Sequence, residues 1–251
     1  MKQRPSIKEI FPEMNECLSW GYVVCTMAWG IFAFWMLPFI LTLVSGGSGE
    51  NMTVIAWIEC VYYVINALVL TQVLKETLSE GFLYVWTDKK LVLETLLTAV
   101  GAMVVYILLI AQPLSNYVFQ QYLLDVLPLS ELTVTMTPGF VVSNIPIPDM
   151  ICMTAVVPFS ITALYYATGF APVCCRNRWL GYLTVAGVLL LPALFNILWR
   201  GNAEFVLYEY IICLPIHWIA CWSYQKTDNI WMPIFSLAAV NFATSLMNLT
   251  F

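Results

Sequence analysis

Residues 91–112 read LVLETLLTAVGAMVVYILLIAQ, an apolar run interrupted by a single charge, Glu94. A helix needs about 20 residues to cross the ~30 Å hydrocarbon core of a bilayer, and this run is long enough. Glu94 sits near one end, where a carboxylate reaches the interface by snorkelling. Stretches of the same kind run over Trp20–Val44, Met52–Leu74, Ile151–Val173, Trp179–Trp199, Phe205–Tyr224 and Ile230–Phe251. Backbone polar groups in lipid must be satisfied within their own segment, so these runs predict helices. The expected fold class is all-α, a polytopic membrane helix bundle of about seven transmembrane helices. At 61% hydrophobic residues and a mean hydropathy of +0.82, the chain carries too much apolar surface for a soluble domain of its length.

The charges orient this bundle. Lys2, Arg4 and Lys8 precede the first run, and Lys75, Lys89 and Lys90 lie in the connection between the second and third. Arg176 and Arg178 separate the fourth from the fifth, and Lys226 the sixth from the seventh. Of the ten Lys and Arg residues, only Arg200 falls on the other side. Cytoplasmic loops collect basic residues, so the N-terminus is expected in the cytoplasm. The net charge of −5 arises from scarce charges, without a basic patch for nucleic acid, and no nucleic-acid partner is expected. The first apolar run follows a mixed-charge segment and is long enough to span, unlike a cleaved signal peptide. The eight cysteines are dispersed, mostly within apolar runs, where Cys acts as a small hydrophobe, and no disulfide framework is expected.

Residues 1–18 form their own segment. Ile7, Ile10, Phe11, Met14, Cys17 and Leu18 recur at helical spacing among Lys8, Glu9, Glu13 and Glu16, which suits an amphipathic helix in the inner interface. Residues 19–112 then supply three transmembrane helices. Residues 113–150 form the one long extracytoplasmic loop, with Asp125, Glu131 and Asp149 but no Lys or Arg. Prolines at 113, 128, 138, 146 and 148 give it the character of an irregular cap, with a strand-like alternation over Leu132–Thr137. Prolines also punctuate the spans, at Pro38, Pro158, Pro172, Pro192, Pro215 and Pro233. Each frees a carbonyl and can bend its helix, which is how bundles open internal cavities.

Ionisable and polar residues within the spans are the candidate ligand-binding groups. Glu59, Tyr62, Tyr63 and Asn66 share one face of the second run, either as a hydrogen-bonded packing seam or as a ligand or proton site. Asn196 lies in the fifth run, Glu209 and His217 in the sixth, and Asn241 in the seventh. Cys213, His217 and Cys221 recur every four residues, a pattern of soft metal ligands. One helix spreads them over about 12 Å, however, and no metal or other cofactor is expected. His217 is the sole histidine, so no Ser-His-Asp set exists, and neither a phosphate-binding loop nor an HExxH helix occurs. On the charge map Glu59, Asn196 and Glu209 fall in the outer half of the bilayer, so a polar pocket is expected to face outward beneath residues 113–150.

The segment Tyr224-Gln-Lys-Thr-Asp-Asn-Ile-Trp-Met-Pro-Ile234, followed by Asn241, resembles the closing segment of the CPBP (CAAX-protease and bacteriocin-processing) intramembrane endopeptidases. There a turn of the type tyrosine, basic, Thr-Gly-Ser-Ile-Trp-x-Pro-Ile leads into a helix bearing His-x-x-x-Asn. The resemblance covers Ile151–Phe251 and implies that these residues form a four-helix CPBP-like core. The catalytic residues are missing. The final motif would place its His at Leu237, its Glu-Glu-x-x-x-Arg motif near Thr162–Ala167, and its Phe-x-x-x-His motif near Pro192–Asn196. None of these stretches carries the required Glu or His. The resemblance therefore implies a pseudoenzyme that kept the fold and lost the groups that activate water.

The expected function is a non-catalytic integral membrane protein, in a plasma membrane of bacterial type. It would bind membrane lipid, a lipidic or peptidic ligand, or a partner membrane protein. Two alternatives remain: an intramembrane enzyme of protease or metalloprotease type with an unusual site built from Glu59, Glu209 and His217, and a transporter or channel subunit.

Overall fold

In the computed structural model the described residues are 75–118, 177–200 and 203–250, with Ile40 and scattered helical positions from Val61 to Gln72. Among them there is no strand, and the described fold is all-α. Its helices are α1 (Lys75–Thr87), α2 (Lys89–Tyr106), α3 (Gln112–Val118), α4 (Arg178–Arg200), α5 (Ala203–Thr227) and α6 (Trp231–Thr250). A π-helical turn, Ile107–Ala111, joins α2 to α3.

The long apolar runs appear where their composition predicts them, at Trp179–Trp199, Phe205–Tyr224 and Ile230–Phe251, each within a few residues of α4, α5 and α6. Two boundaries differ. The connection between the second and third runs is helical: Lys75–Thr87 forms α1, and Lys89 and Lys90 begin α2. The third run does not stop before Pro113 but continues as helix to Val118. A proline ring presses on the carbonyl four residues back and lacks the N–H that would bond it. The π turn lies immediately before Pro113, with Gln112 N–H donating to Ile107 O, and its wider geometry lets the chain pass. The 1–18 segment, the first and fourth runs, most of the second and the 113–150 cap beyond Val118 lie outside the described residues.

Helix α2 begins at Asp88, whose carboxylate accepts from Leu91 N at 3.4 Å, a side-chain N-cap. Its buried stripe is narrow: Thr95, Ala99 and Met103, continued by Ile107 and Ala111. Small residues in such a line let helix backbones approach closely. The rest of α2 is apolar yet uncovered, with Leu97 63% exposed. Residues Lys89–Leu114 form a helix of 26 residues long and apolar enough to cross a membrane, and only 22% of its apolar window is buried. The core helix of a water-soluble domain would be mostly covered.

Helix α5 is the centre of the described bundle and packs against α4, α2 and α6. Its buried residues include Ile212, Cys213, Ile216, Ala220, Cys221 and Tyr224. Pro215 lies inside it and cannot donate to Ile211 O, while its ring crowds the preceding turn. In that turn the Ile212 carbonyl accepts a hydrogen bond from Tyr106 Oη at 3.0 Å. Antiparallel α4 is tied to α5 by Tyr210 Oη donating to Ala186 O at 2.9 Å and by Tyr182 Oη donating to Gln225 Oε1 at 3.2 Å.

The α5–α6 turn is short and fully specified. Asp228 N–H bonds Tyr224 O at 2.7 Å, and Asp228 takes a left-handed φ of 48°, the conformation that stops a helix. Asn229 Oδ1 then accepts from Trp231 N at 3.0 Å, starting α6. Pro233 falls in the first turn of α6, where no intrahelical N–H is needed.

Asp228→Gly should raise stability by about 1 kcal/mol, because glycine enters the left-handed region without the Cβ penalty. Thermal unfolding of the detergent-solubilised protein tests this; an unchanged or lower melting temperature contradicts it.

Candidate functional site

Of the residues singled out from the sequence, Glu59 and Asn66 lie outside the described set. Asn196 falls on α4 and Glu209 on α5, both in the halves of those helices remote from the 228–230 turn. The side chains of His217 and Asn241 are both buried, 2% and 5% exposed. In an antiparallel hairpin, residues equally far from the turn lie at equal height. His217 stands ten residues before Thr227, the last of α5, and Asn241 ten after Trp231, the first of α6. They therefore share one layer of the bundle, and Ile216, Ala220, Leu237 and Val240, close to them in sequence, are buried too. Thr95 of α2 is also fully buried, and its Oγ1 has no hydrogen-bond partner among the described residues.

Cys213 and Cys221 are buried and not joined in a disulfide. Among the described residues, no three His, Cys, Asp or Glu side chains gather into a group able to hold a metal. The spacing along α5 thus remains a line of small buried groups, as the rise of a single helix requires.

A second constellation was not singled out from the sequence: the docking of α1 on the α5–α6 turn. Trp231 Nε1–H donates to Leu78 O at 2.8 Å, and Asn229 Nδ2–H donates to Gly81 O at 2.9 Å. Asn229 therefore works in both directions, starting α6 with its Oδ1 and holding α1 with its amide nitrogen. Gly81 makes this approach possible. A Cβ there would stand 3.0 Å from Asn229 Oδ1 and 3.2 Å from Trp231 Cδ1. Aromatic rings extend the contact, with Phe82 edge-on to Trp231 at 5.6 Å and Trp231 stacked on Phe235 at 5.4 Å.

Cations cluster at the same end. Lys89 Nζ lies 5.4 Å over the Trp86 ring, and Lys226 Nζ lies 5.1 Å over Trp222, distances at which ring and charge attract. Lys90 and Glu94 approach at 3.9 Å but are 87% and 58% exposed, so the pair adds little stability. Signals for this docking were present, since Leu78, Gly81 and Val85 recur at i, i+3, i+7, the spacing of one helix face. Their partner lies far along the chain, and no local pattern announces it.

This end of the bundle holds an anchor rather than a reaction centre: donors to main-chain carbonyls, aromatic rings and exposed cations. No protein-family model, curated protein or solved structure matches the chain.

Gly81→Ala should push α1 from the turn and cost about 1–3 kcal/mol, as overpacking does. Trp231→Phe should cost about 1 kcal/mol through the lost hydrogen bond. Thermal unfolding read by tryptophan fluorescence measures both, and wild-type stability in Gly81→Ala would show that the docking is loose.

Proposed function

We propose that this protein is a non-catalytic integral membrane protein, a bundle of about seven helices with its N-terminus in the cytoplasm. It acts by binding a lipidic or peptidic ligand or a partner membrane protein. The observation that carries this reading is the uncovered apolar surface of the continuous helix Lys89–Leu114, which runs from α2 through the π turn into α3: 26 residues, of which only 22% of the apolar window is buried. Such a surface is stable in hydrocarbon and a liability in water. The charged end agrees with it. Lys89 starts α2, Arg178 starts α4, and Lys226 precedes the last residue of α5, so the basic residues gather where a cytoplasmic interface would lie. Trp86, Trp179 and Trp222 accompany them, as aromatic rings do at membrane interfaces.

In this reading Ile151–Phe251 is a CPBP-like core without its catalyst. Support comes from α5 and α6. Asp228, at the place of the family's turn glycine, has the left-handed φ that a glycine there would serve. Leu237, at the place of the family's histidine, is a buried apolar side chain, 3% exposed. Catalysis by glutamate and histidine has nothing to work with at that position, and what remains of the motif, Asn241, is buried in the same helix.

Two measurements test the reading. In a background with the native cysteines replaced, Lys90→Cys and Lys226→Cys should react with an impermeant maleimide only from the cytoplasmic side, and Arg200→Cys only from the other. Labelling of positions 226 and 200 from the same side defeats the topology. Incubation with prenylated or transmembrane peptides should yield no cleavage in wild type; proteolysis abolished by Glu209→Gln or His217→Ala would make the protein an enzyme.

A further inference from the structure

Helix α1 has three sides of different chemistry. Leu78, Gly81 and Val85 face the bundle, and Leu78 is 4% exposed. Lys75, Ser79, Phe82 and Trp86, at i, i+4, i+7 and i+11, form an adjoining side, and all four are exposed. Leu83 flanks this side at 66% exposed, with Phe82 at 42% and Trp86 at 59%. Glu80 is exposed on the remaining side by the same helical count, segregated from the aromatic side. The cations are not: Lys75 begins that side, and Lys89, just past its end, lies over the Trp86 ring.

A helix with this division lies in the plane of an interface, its aromatic side among acyl chains and its carboxylates in water. Lysines at the edge of an aromatic strip sit at the level of lipid phosphates. On the membrane reading proposed above, the geometry points to the Lys75–Phe82–Trp86 edge of α1, with Lys89 of α2 over the Trp86 ring, as a binding site for the headgroups of anionic phospholipids in the cytoplasmic leaflet. Lys75 and Trp86 stand about 16 Å apart along α1 at the helical rise per residue, so the ammonium groups of Lys75 and Lys89 address different lipid molecules. Because α1 is held to the α5–α6 turn through Leu78 O and Gly81 O, a lipid that seats α1 also stabilises the bundle. Of the other acidic groups at this end, Asp88 caps α2, Asp228 lies in the α5–α6 turn, and Glu94 is drawn to Lys90.

The test uses the full-length protein in neutral detergent, supplemented with phosphatidylglycerol or with phosphatidylcholine at equal mole fraction. Phosphatidylglycerol should raise the melting temperature by about 3 °C more than phosphatidylcholine. The Lys75→Gln/Lys89→Gln double variant, whose baseline in phosphatidylcholine falls slightly with the loss of the Lys89–Trp86 contact, should lose most of that difference between the lipids, and Arg200→Gln should keep it. Equal effects of the two lipids on wild type, or a difference that survives in the double variant, overturn the proposal. A shift produced equally by soluble glycerol phosphate overturns it too, in favour of a free phosphate site. Failure of the protein to float with vesicles of either lipid is a separate outcome: it would remove the membrane reading on which the proposal rests.

Discussion

A helix carbonyl has two lone pairs and spends only one on its own ladder. The described bundle is held together largely through the other. Tyr106, Tyr210, Trp218, Asn229 and Trp231 each send a side-chain donor across to a main-chain oxygen, on Ile212, Ala186, Tyr182, Gly81 and Leu78 in turn. This arrangement suits helices with almost no charge to exchange. A buried ion pair must offset the desolvation of two charges, whereas a phenol or indole N–H brings a large apolar body and one polar atom that finds its acceptor already in place. Each bond also fixes the height of one helix against the next, which apolar contact alone does not do.

The same economy explains which residues carry the architecture. Helix α5 carries Pro215, and Tyr106 anchors the turn before it through Ile212 O. The α5–α6 turn needs a residue that can both start a helix and reach sideways, and Asn229 does both. Gly81 contributes by what it lacks, since its missing Cβ is the space into which the turn fits. Cations over tryptophan rings close the same end of the bundle. His217 and Asn241 are buried farther along the hairpin, away from that end.

Much of this was legible in the sequence. The apolar runs at Trp179–Trp199, Phe205–Tyr224 and Ile230–Phe251 become α4, α5 and α6, because continuous hydrophobicity needs no knowledge of neighbours. The shared height of His217 and Asn241 follows from the turn between them. What escaped depends on partners distant in the chain or on local backbone variants. Helix α1 was hidden because only Leu78, Gly81 and Val85 face protein, and their partner, the 229–231 turn, lies more than a hundred residues away in sequence. Pro113 looked like a stop because proline usually ends a helix, and a π turn leaves no hydrophobic signature. The regular spacing of Cys213, His217 and Cys221 is that of one helix, and α5 carries all three, whereas a metal site needs several elements to converge.

That π turn has a further geometric effect. Thr95, Ala99 and Met103 are buried at intervals of four residues, and four residues of α-helix overshoot a full turn by about 40°. A contact line with that repeat creeps around the cylinder and would leave its neighbour within a few steps. The turn at Ile107–Ala111 winds less per residue and rotates the line back, so that Ile107 and Ala111 remain buried. The local irregularity thus acts as a phase corrector: it lets one helix keep a single line of contact along a length over which a regular α-helix with the same repeat would have turned away.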